Sequence, residues 1–511
     1  MTGSERYNAC RILDHNLDDG RAGKAAIRWG EETVTYGELC DRTHAFASAL
    51  REAGVHREER VLLILDDSPA WPTAFYGAMR MGAVPVPVSF LDSAQNFAHY
   101  LRDSYARVVV VEAVAAEGLL GALAEVEGEA PLVWCANGQV EETTPLHDVL
   151  APHAGAGVQT LDTHRDDVAF WLYSSGSTGR PKGVVHLHHD IPYTCETYAR
   201  EILEIGEDDV TLSTTKLYHA YGMGNSASFP YWAGATTVLL AGRPRPQPIL
   251  EAAQRERPTL FFSVPTLYNA MLGVEGDYDL SSVRRCASAA EPLSPAVLRR
   301  WRERFGLEIL DGIGSTEMLH IYCSNRPGHI VPGTSGMPVP GYELKLLDEE
   351  EREVEEGEVG NLHVRGDSAH ALYWHQHEKT KATVKGEWFF TGDRYRRDEA
   401  GGYVYEGRAD DMIKVGGLWV SPIEVENALA EHPVVVEAAA IGVRADETTR
   451  VKAYLVCREH DHEQAALEAE LQEWCKGRLR RYEYPHFFTF VDELPKTLTG
   501  KIQRYKLREL G

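Results

Sequence analysis

The sequence predicts an α/β protein: a large N-terminal domain of layered α/β sheets, a β-rich subdomain behind it, and a small α+β unit at the C-terminus. Three observations predict it. Short β-branched runs alternate with helical stretches through most of the first 340 of 511 residues, the grammar of stacked, partly parallel α/β layers. From about residue 340 the chain changes to short strand-like runs punctuated by turn residues. Beyond about residue 410 it changes again, to a module reading strand, strand, helix, strand.

The first pattern places strands at Val61–Leu65, Arg107–Val111, Val168–Tyr173, Thr236–Leu240, Thr259–Val264 and Leu307–Leu310. Helices are expected at Tyr36–Ala53 and Pro295–Phe305, where apolar residues recur at helical spacing. The β-rich part offers Tyr342–Leu347, Gly360–Arg365 and Gly401–Tyr405, and the last unit offers strands Glu437–Val443, Lys452–Cys457 and Phe487–Val491 with a helix over Gln464–Arg481. At roughly 100–200 residues per domain the chain holds two or more domains with ample core.

Composition excludes several function classes. The chain carries 52 Lys and Arg against 77 Asp and Glu, a net charge of −25, unsuited to general binding of nucleic acid or an anionic membrane, both of which need clustered cations. Positive charge is local instead: residues 476–511 have nine Lys or Arg and four acids, net +5. Eight cysteines occur without a C-x-x-C pair, matching neither a disulfide framework nor a zinc site. The N-terminus has no basic stretch leading into an apolar one, and no run of about 18 apolar residues occurs. The expectation is a cytoplasmic protein with reduced thiols. The histidine groups His186, His188, His189 and His363, His370, His375, His377 lack cysteine or carboxylate partners at ligand spacing, which argues against a metal centre there. No G-x-S-x-G stands between a strand and a helix, which argues against a serine hydrolase.

Four motifs carry chemistry. Ser174-Ser175-Gly176-Ser177-Thr178-Gly179-Arg180-Pro181-Lys182 follows the apolar strand Val168–Tyr173; backbone N–H groups, hydroxyls and a lysine in a flexible loop suit phosphate oxygens. It is not a Walker A loop, because no Ser or Thr follows Lys182. Asp311-Gly312-Ile313-Gly314-Ser315-Thr316-Glu317 follows the next strand; with Glu317 at the sixth G-x-G-x-x-G position the dinucleotide fingerprint fails, and a carboxylate beside a hydroxyl suits Mg²⁺. In Thr391-Gly392-Asp393, Asp393 can chelate vicinal ribose hydroxyls, and the polar stretch Arg408–Asp411 suits a hinge. In Pro495–Ile502, Lys501 occupies a glycine-containing turn able to swing into a cleft.

In this order and spacing the four motifs resemble the adenylate-forming superfamily of acyl-CoA synthetases, adenylation domains and luciferases, over nearly the whole chain. The closer resemblance is to the benzoate-CoA ligase group, on Tyr7-Asn8-Ala9, Lys216–Asn225, Val264–Tyr268, Asp311–His320, Asp410–Pro422 and Leu494–Arg508. It implies an N-terminal domain over 1–408, with 340–408 its β-rich part, a hinge over 409–411 at Asp410, and a mobile C-terminal domain over 412–511. It implies ATP, Mg²⁺ and CoA as cofactors, and two steps: a carboxylic acid and ATP give acyl-AMP and pyrophosphate, and a thiol then displaces AMP.

The roles implied by the resemblance fall on particular residues. Ser174, Ser175, Gly176, Ser177, Thr178, Gly179 and Lys182 would hold phosphates, and Ala290, Glu291, Asp311, Gly312, Ile313, Ser315 and Thr316 the rest of ATP or AMP. Asp393 and Arg408 would hold the ribose, and Thr178 and Glu317 the Mg²⁺. Ala220, Tyr221, Ala289, Gly314, His320 and Ile321 would surround the acid, with His219 gating its carboxylate. Lys501 would serve adenylation, Lys414 the thioester step, and Gly416 and Gly417 the pantetheine tunnel. Three positions depart from the benzoate group: His219 stands where Phe is more frequent, Ala290 where Gly is usual, and Met223 where Leu is frequent. The expected partners are a benzoate-like or bulkier cyclic acid, ATP and CoA, with no nucleic acid or membrane. An acyl carrier protein acting in trans is the alternative acceptor, a larger polycyclic acid of a biosynthetic pathway the alternative substrate, and a homodimer an open assembly state.

Overall fold

The computed structural model describes residues 4–175, 180–409, 411–415, 418–445, 448–458, 463–496 and 502–510. Valine-rich runs buried on both faces belong in parallel sheets covered on either side. Val108–Glu112 is such a run, and every one of its residues is buried. It sits in an all-parallel sheet of spatial order Val84–Val88, Arg60–Ile64, Val108–Glu112, Leu132–Ala136, Thr144–Pro145.

A second, nine-stranded sheet runs Met337–Pro338, Ile321–Ser324, Ile309–Gly314, Arg285–Ser288, Leu260–Ser263, Val210–Ser213, Thr236–Leu239, Ala25–Trp29, Glu32–Thr35. Its centre is parallel and both ends are antiparallel. The outermost strands of the two sheets are Val84–Val88, which contains Pro85 and Pro87, Thr144–Pro145, Met337–Pro338, and Glu32–Thr35, whose Glu32 and Thr33 are exposed.

The expected helices carry their own start and stop signals. Tyr36–Glu52 opens on a capping box in which Thr35 and Glu38 satisfy each other's backbone N–H groups. Pro295–Phe305 opens with Ser294 as cap and proline in its first position, and closes on Gly306 at φ +70°.

Three boundaries differ from expectation. The strand expected to end at Leu310 runs on to Gly314, so the Asp311–Gly314 motif lies inside the sheet. The C-terminal helix stops at Lys476 because Gly477, a poor helix former, follows. The phosphate loop joins two strands of an antiparallel hairpin, Val168–Ser175 and Pro181–Leu187. It therefore lacks a helix dipole behind it, and its anion affinity must come from Lys182, hydroxyls and loop N–H groups.

Leu372–Tyr373 joins this hairpin through Pro181–Leu187. The β-rich subdomain pairs Glu343–Leu347, Gly360–Arg365, Trp388–Arg397 and Val384–Lys385, with Tyr403–Arg408 added on Trp388–Arg397. Past it, hairpin Ile413–Val415/Leu418–Val420 leads into helix Pro422–Ala430, capped by Ser421, which no sequence signal above had identified. Strands Val435–Ala445, Thr448–Cys457 and Phe487–Phe490 then form a sheet packed on helices Pro422–Ala430 and Gln464–Lys476 through Val425, Leu429, Leu455, Leu467 and Leu471. Among the described residues no helix is long and apolar enough to cross a membrane, and all eight cysteine thiols are free.

Candidate active site

The hairpin places Ser174 and Lys182 opposite each other in register, and the turn after Ile309–Gly314 brings Glu317 to them. Lys182 Nζ donates to Glu317 Oε1 at 2.8 Å, Tyr373 Oη donates to the same oxygen at 2.9 Å, and Ser174 Oγ stands 3.5 Å away. The Lys182 ammonium also lies 4.0 Å above the Tyr373 ring centroid. Burial alone would raise the Glu317 carboxyl, but the charge and hydrogen bond of Lys182 outweigh it and hold the group down to about 2. Glu317 is ionised at neutral pH inside a closed site.

Backbone contacts fix this carboxylate. His370 N donates to Glu317 O at 2.7 Å. His186, fully buried and stacked on Phe170, donates from Nε2 to Thr316 O at 2.8 Å, with its Nδ1 2.7 Å from Asp190 Oδ2. Gly312 and Gly314 let strand Ile321–Ser324 approach: a Cβ on either would stand 2.7 Å from Cys323 O or 2.6 Å from His320 O. The G-x-G spacing is thus a strand-packing device. Asp311, in the same strand, is pushed up to about 8 by burial, so its carboxyl is mostly protonated at pH 7 and can donate as well as accept.

The third motif meets the first two around Tyr322, whose phenol feels the charges of Asp393, Glu317 and Arg408. Asp393 and Arg408 are cross-strand neighbours. Arg408 Nη1 reaches Asp393 Oδ1 at 3.0 Å and Thr391 O at 2.9 Å. Gly392 at φ +77° makes room, since a Cβ there would lie 2.6 Å from the guanidinium.

The expected acid-binding residues cluster at the other side of the Asp311–His320 segment. Ala220, Tyr221, Ala289 and Ile321 share one buried apolar cluster. His320 stands among the rings of Phe229, Tyr198 and Tyr221 at centroid distances of 4.5, 5.1 and 5.4 Å, and its Nε2 faces Asn225 Oδ1 at 3.2 Å. Burial lowers it to about 3, so this wall is uncharged at neutral pH. The helix facing it widens into a π-helical turn over Gly224–Ser228, a form common at functional sites; a Cβ on Gly224 would lie 2.3 Å from the His320 ring. His219 precedes the short helix Ala220–Met223 as its N-cap residue. Glu291 Oε2 accepts from Thr266 N and Oγ1 at 3.3 and 2.6 Å, at the start of helix Pro265–Leu272.

Two residues here have left-handed backbones without being glycine, Ala290 at φ +79° and Leu319 at φ +66°; such strain concentrates at functional sites. Ala290→Gly is expected to stabilise the protein by roughly 0.5–1 kcal/mol, the left-handed cost for an L-residue less the extra freedom of glycine in the unfolded chain. Equilibrium denaturation measures it, and a lower midpoint in the glycine variant would contradict the assigned turn.

Ser174, Lys182, Glu317, Asp393 and Arg408 are thus drawn together, with Ser315, Thr316 and Ile313 in the segment supporting them. Lys414 lies on the exposed hairpin strand Ile413–Val415, outside this buried cluster. Ser175 is placed by its backbone only. Gly176, Ser177, Thr178, Gly179, Asp410, Gly416, Gly417 and Lys501 lie outside the described residues. Tyr373, Tyr322, His370, His186 and Asn225 carry no motif, and the sequence reading missed their place in the site. For Tyr373 the available signal was weak: an aromatic pair, Tyr373-Trp374, beside a short strand.

The sequence matches the AMP-binding enzyme family over residues 14–374 and the AMP-binding enzyme C-terminal domain over residues 424–501. It is 45% identical to a benzoate–CoA ligase of Thauera aromatica, over 99% of this chain and 96% of that protein. It is 40% identical to a 4-hydroxybenzoate–CoA/benzoate–CoA ligase of Rhodopseudomonas palustris, over 99% and 94%. Among solved structures, a benzoate CoA ligase from Burkholderia xenovorans LB400 superposes with a TM-score of 0.91 at 42% identity, covering 98% of this chain and all of that one. The anthranilate CoA ligase AuaEII in complex with anthranoyl-AMP gives 0.93 at 39% identity, covering 99% and 98%. With two matched family regions and full-length likeness to these ligases, the chain belongs to the AMP-binding enzyme family, in the benzoate-CoA ligase group of the adenylate-forming superfamily.

Proposed function

We propose that the protein is an ATP-dependent acid–thiol ligase that converts a benzoate-like aromatic acid to its acyl-CoA through an acyl-AMP. The observation that carries the reading is the convergence of Lys182, Glu317 and the Asp393–Arg408 pair around Tyr322, next to an uncharged aromatic pocket walled by His320 and Tyr221. The relatives named for benzoate and anthranilate supply the acid class.

Lys182 and the loop before it bind the β- and γ-phosphates, Asp393 with Arg408 the ribose, and the segment from Ala290 to Thr316 the base. Mg²⁺ suits Glu317: an ionised carboxylate with the Ser174 hydroxyl 3.5 Å away is a hard-oxygen donor set of the kind this ion shares with phosphate and water. Bound there with Thr178, it would offset phosphate charge. His219 orients the acid's carboxylate for attack on the α-phosphorus. A C–O–P bond forms, the bond to the β-phosphate oxygen breaks, and pyrophosphate leaves with the electron pair. Lys501 stabilises the charge that develops on the α-phosphate. The domain over 412–511 then turns at Asp410, and Lys414 with the Gly416-Gly417 tunnel serves thiol attack on the acyl carbon. The thiol proton is lost, the C–O bond to AMP breaks, and AMP departs.

An AMP-release assay over benzoates, cinnamates, naphthoates, bulky alicyclic acids and linear fatty acids tests the reading. Activity dependent on ATP and CoA is expected with simple aryl acids, and activity with linear fatty acids alone would overturn it. Release that requires an acyl carrier protein in place of CoA would identify the other acceptor.

A further inference from the structure

Resting on the MgATP-site reading above, we propose that Tyr373 is a positioning residue for nucleotide binding, holding Lys182 with its ring face and Glu317 with its hydroxyl. The two contacts are chemically different and belong to one side chain. The ring face lies 4.0 Å from the Lys182 ammonium, and the phenol donates to Glu317 Oε1 at 2.9 Å. An ionised carboxylate can only accept, so the phenol proton points at Glu317.

Tyr373 is itself fixed. It is 2% exposed, its strand pairs Tyr373 with Val184 and Leu372 with Val185, its N–H donates to Thr380 Oγ1 at 3.0 Å, and the His370 ring packs on it at 4.5 Å. The segment therefore touches Glu317 twice, through His370 N and the Tyr373 hydroxyl.

In the ligand-free arrangement Lys182 and Glu317 neutralise each other. To bind a metal nucleotide, the ammonium must exchange its carboxylate for phosphate, and the carboxylate must lose its ammonium. Tyr373 is the contact both partners keep through that exchange. The aromatic face retains the cation while its anionic partner changes, and the hydroxyl retains Oε1, so that Glu317 keeps its orientation once the lysine has left.

The test is equilibrium binding of ATP to the full-length protein without acid or CoA, by titration calorimetry, once with Mg²⁺ and once with EDTA. Tyr373→Phe keeps the ring and loses the hydroxyl. It is expected to weaken ATP binding about tenfold with Mg²⁺ and less than twofold in EDTA. Tyr373→Leu loses both contacts and is expected to weaken binding about a hundredfold with Mg²⁺ and several-fold in EDTA. Should the leucine variant not fold, the phenylalanine variant decides alone, because a generally loosened site would lose affinity equally in both conditions. Wild-type affinity in Tyr373→Phe, while Glu317→Gln loses tenfold or more with Mg²⁺, would overturn the role of Tyr373 and leave the site reading standing. Wild-type affinity in Glu317→Gln as well would overturn the site reading itself.

Discussion

Replacing Lys501 by alanine is expected to lower acid-dependent exchange of pyrophosphate into ATP by about 10²–10³-fold, the loss typical when one donor to a developing oxyanion is removed. Supplied acyl-AMP should still be converted to acyl-CoA within about twofold of the wild-type rate, since a group that acts only while phosphorus is attacked has nothing to contribute once the adenylate exists. Lys414→Ala is the complement: it should impair thioester formation more than exchange. Single-step assays with chemically prepared acyl-AMP separate the two. Wild-type exchange in Lys501→Ala would end the assignment, and equal losses in both half-reactions of Lys414→Ala would show that the two lysines do not work in turn.

The second large effect is on stability and binding together. Lys182→Met deletes the cation opposite Glu317, 2.8 Å away in a closed site, and stranding one partner of a buried pair costs about 3–5 kcal/mol. The pH dependence identifies the cause. In the wild type Glu317 is depressed from 4.5 to about 2, so its stabilising contribution is complete above about 4.5 and is lost as the pH falls toward 2. In the variant burial dominates and the folded-state carboxyl titrates above its ordinary value. The native state then holds more protons than the unfolded one, and stability declines as the pH rises. Denaturation midpoints of the two proteins should therefore diverge from about pH 4.5 upward. A gap that does not change with pH would mean that Glu317 does not depend on Lys182. ATP binding should fall in parallel.

Much of this site is legible in the sequence, because its parts combine a residue type with a place at a strand end. Ser174 and Lys182 flank a glycine-rich loop after an apolar strand, and Glu317 follows the next one. What escaped is of two kinds. The hairpin form of the phosphate loop was readable in principle: the apolar run Gly183–Leu187 after the loop mirrors Val168–Leu172 before it, and two such runs about a turn are a hairpin signal. Tyr373 and Tyr322 were not readable. Tyr373 reaches Glu317 across 56 residues of chain, from a β-rich stretch where every second aromatic could equally be core. Ala290 is intermediate. Its place where related chains have glycine was visible, but the φ of +79° that makes the exchange matter is a property of the folded turn.

The outermost strands of the two long sheets bear on how copies of this protein can meet. A free strand edge presents unpaired N–H and C=O groups that invite a second chain to continue the sheet. Here Val84–Val88 lacks two of its donors at Pro85 and Pro87, Thr144–Pro145 and Met337–Pro338 are two residues long and end in proline, and Glu32–Thr35 turns a carboxylate outward. Proline cannot donate to a ladder, and two residues cannot sustain one. Continuation of either sheet into a neighbouring molecule is blunted on all four sides, and any symmetric assembly of this chain has to be built from side-chain surfaces.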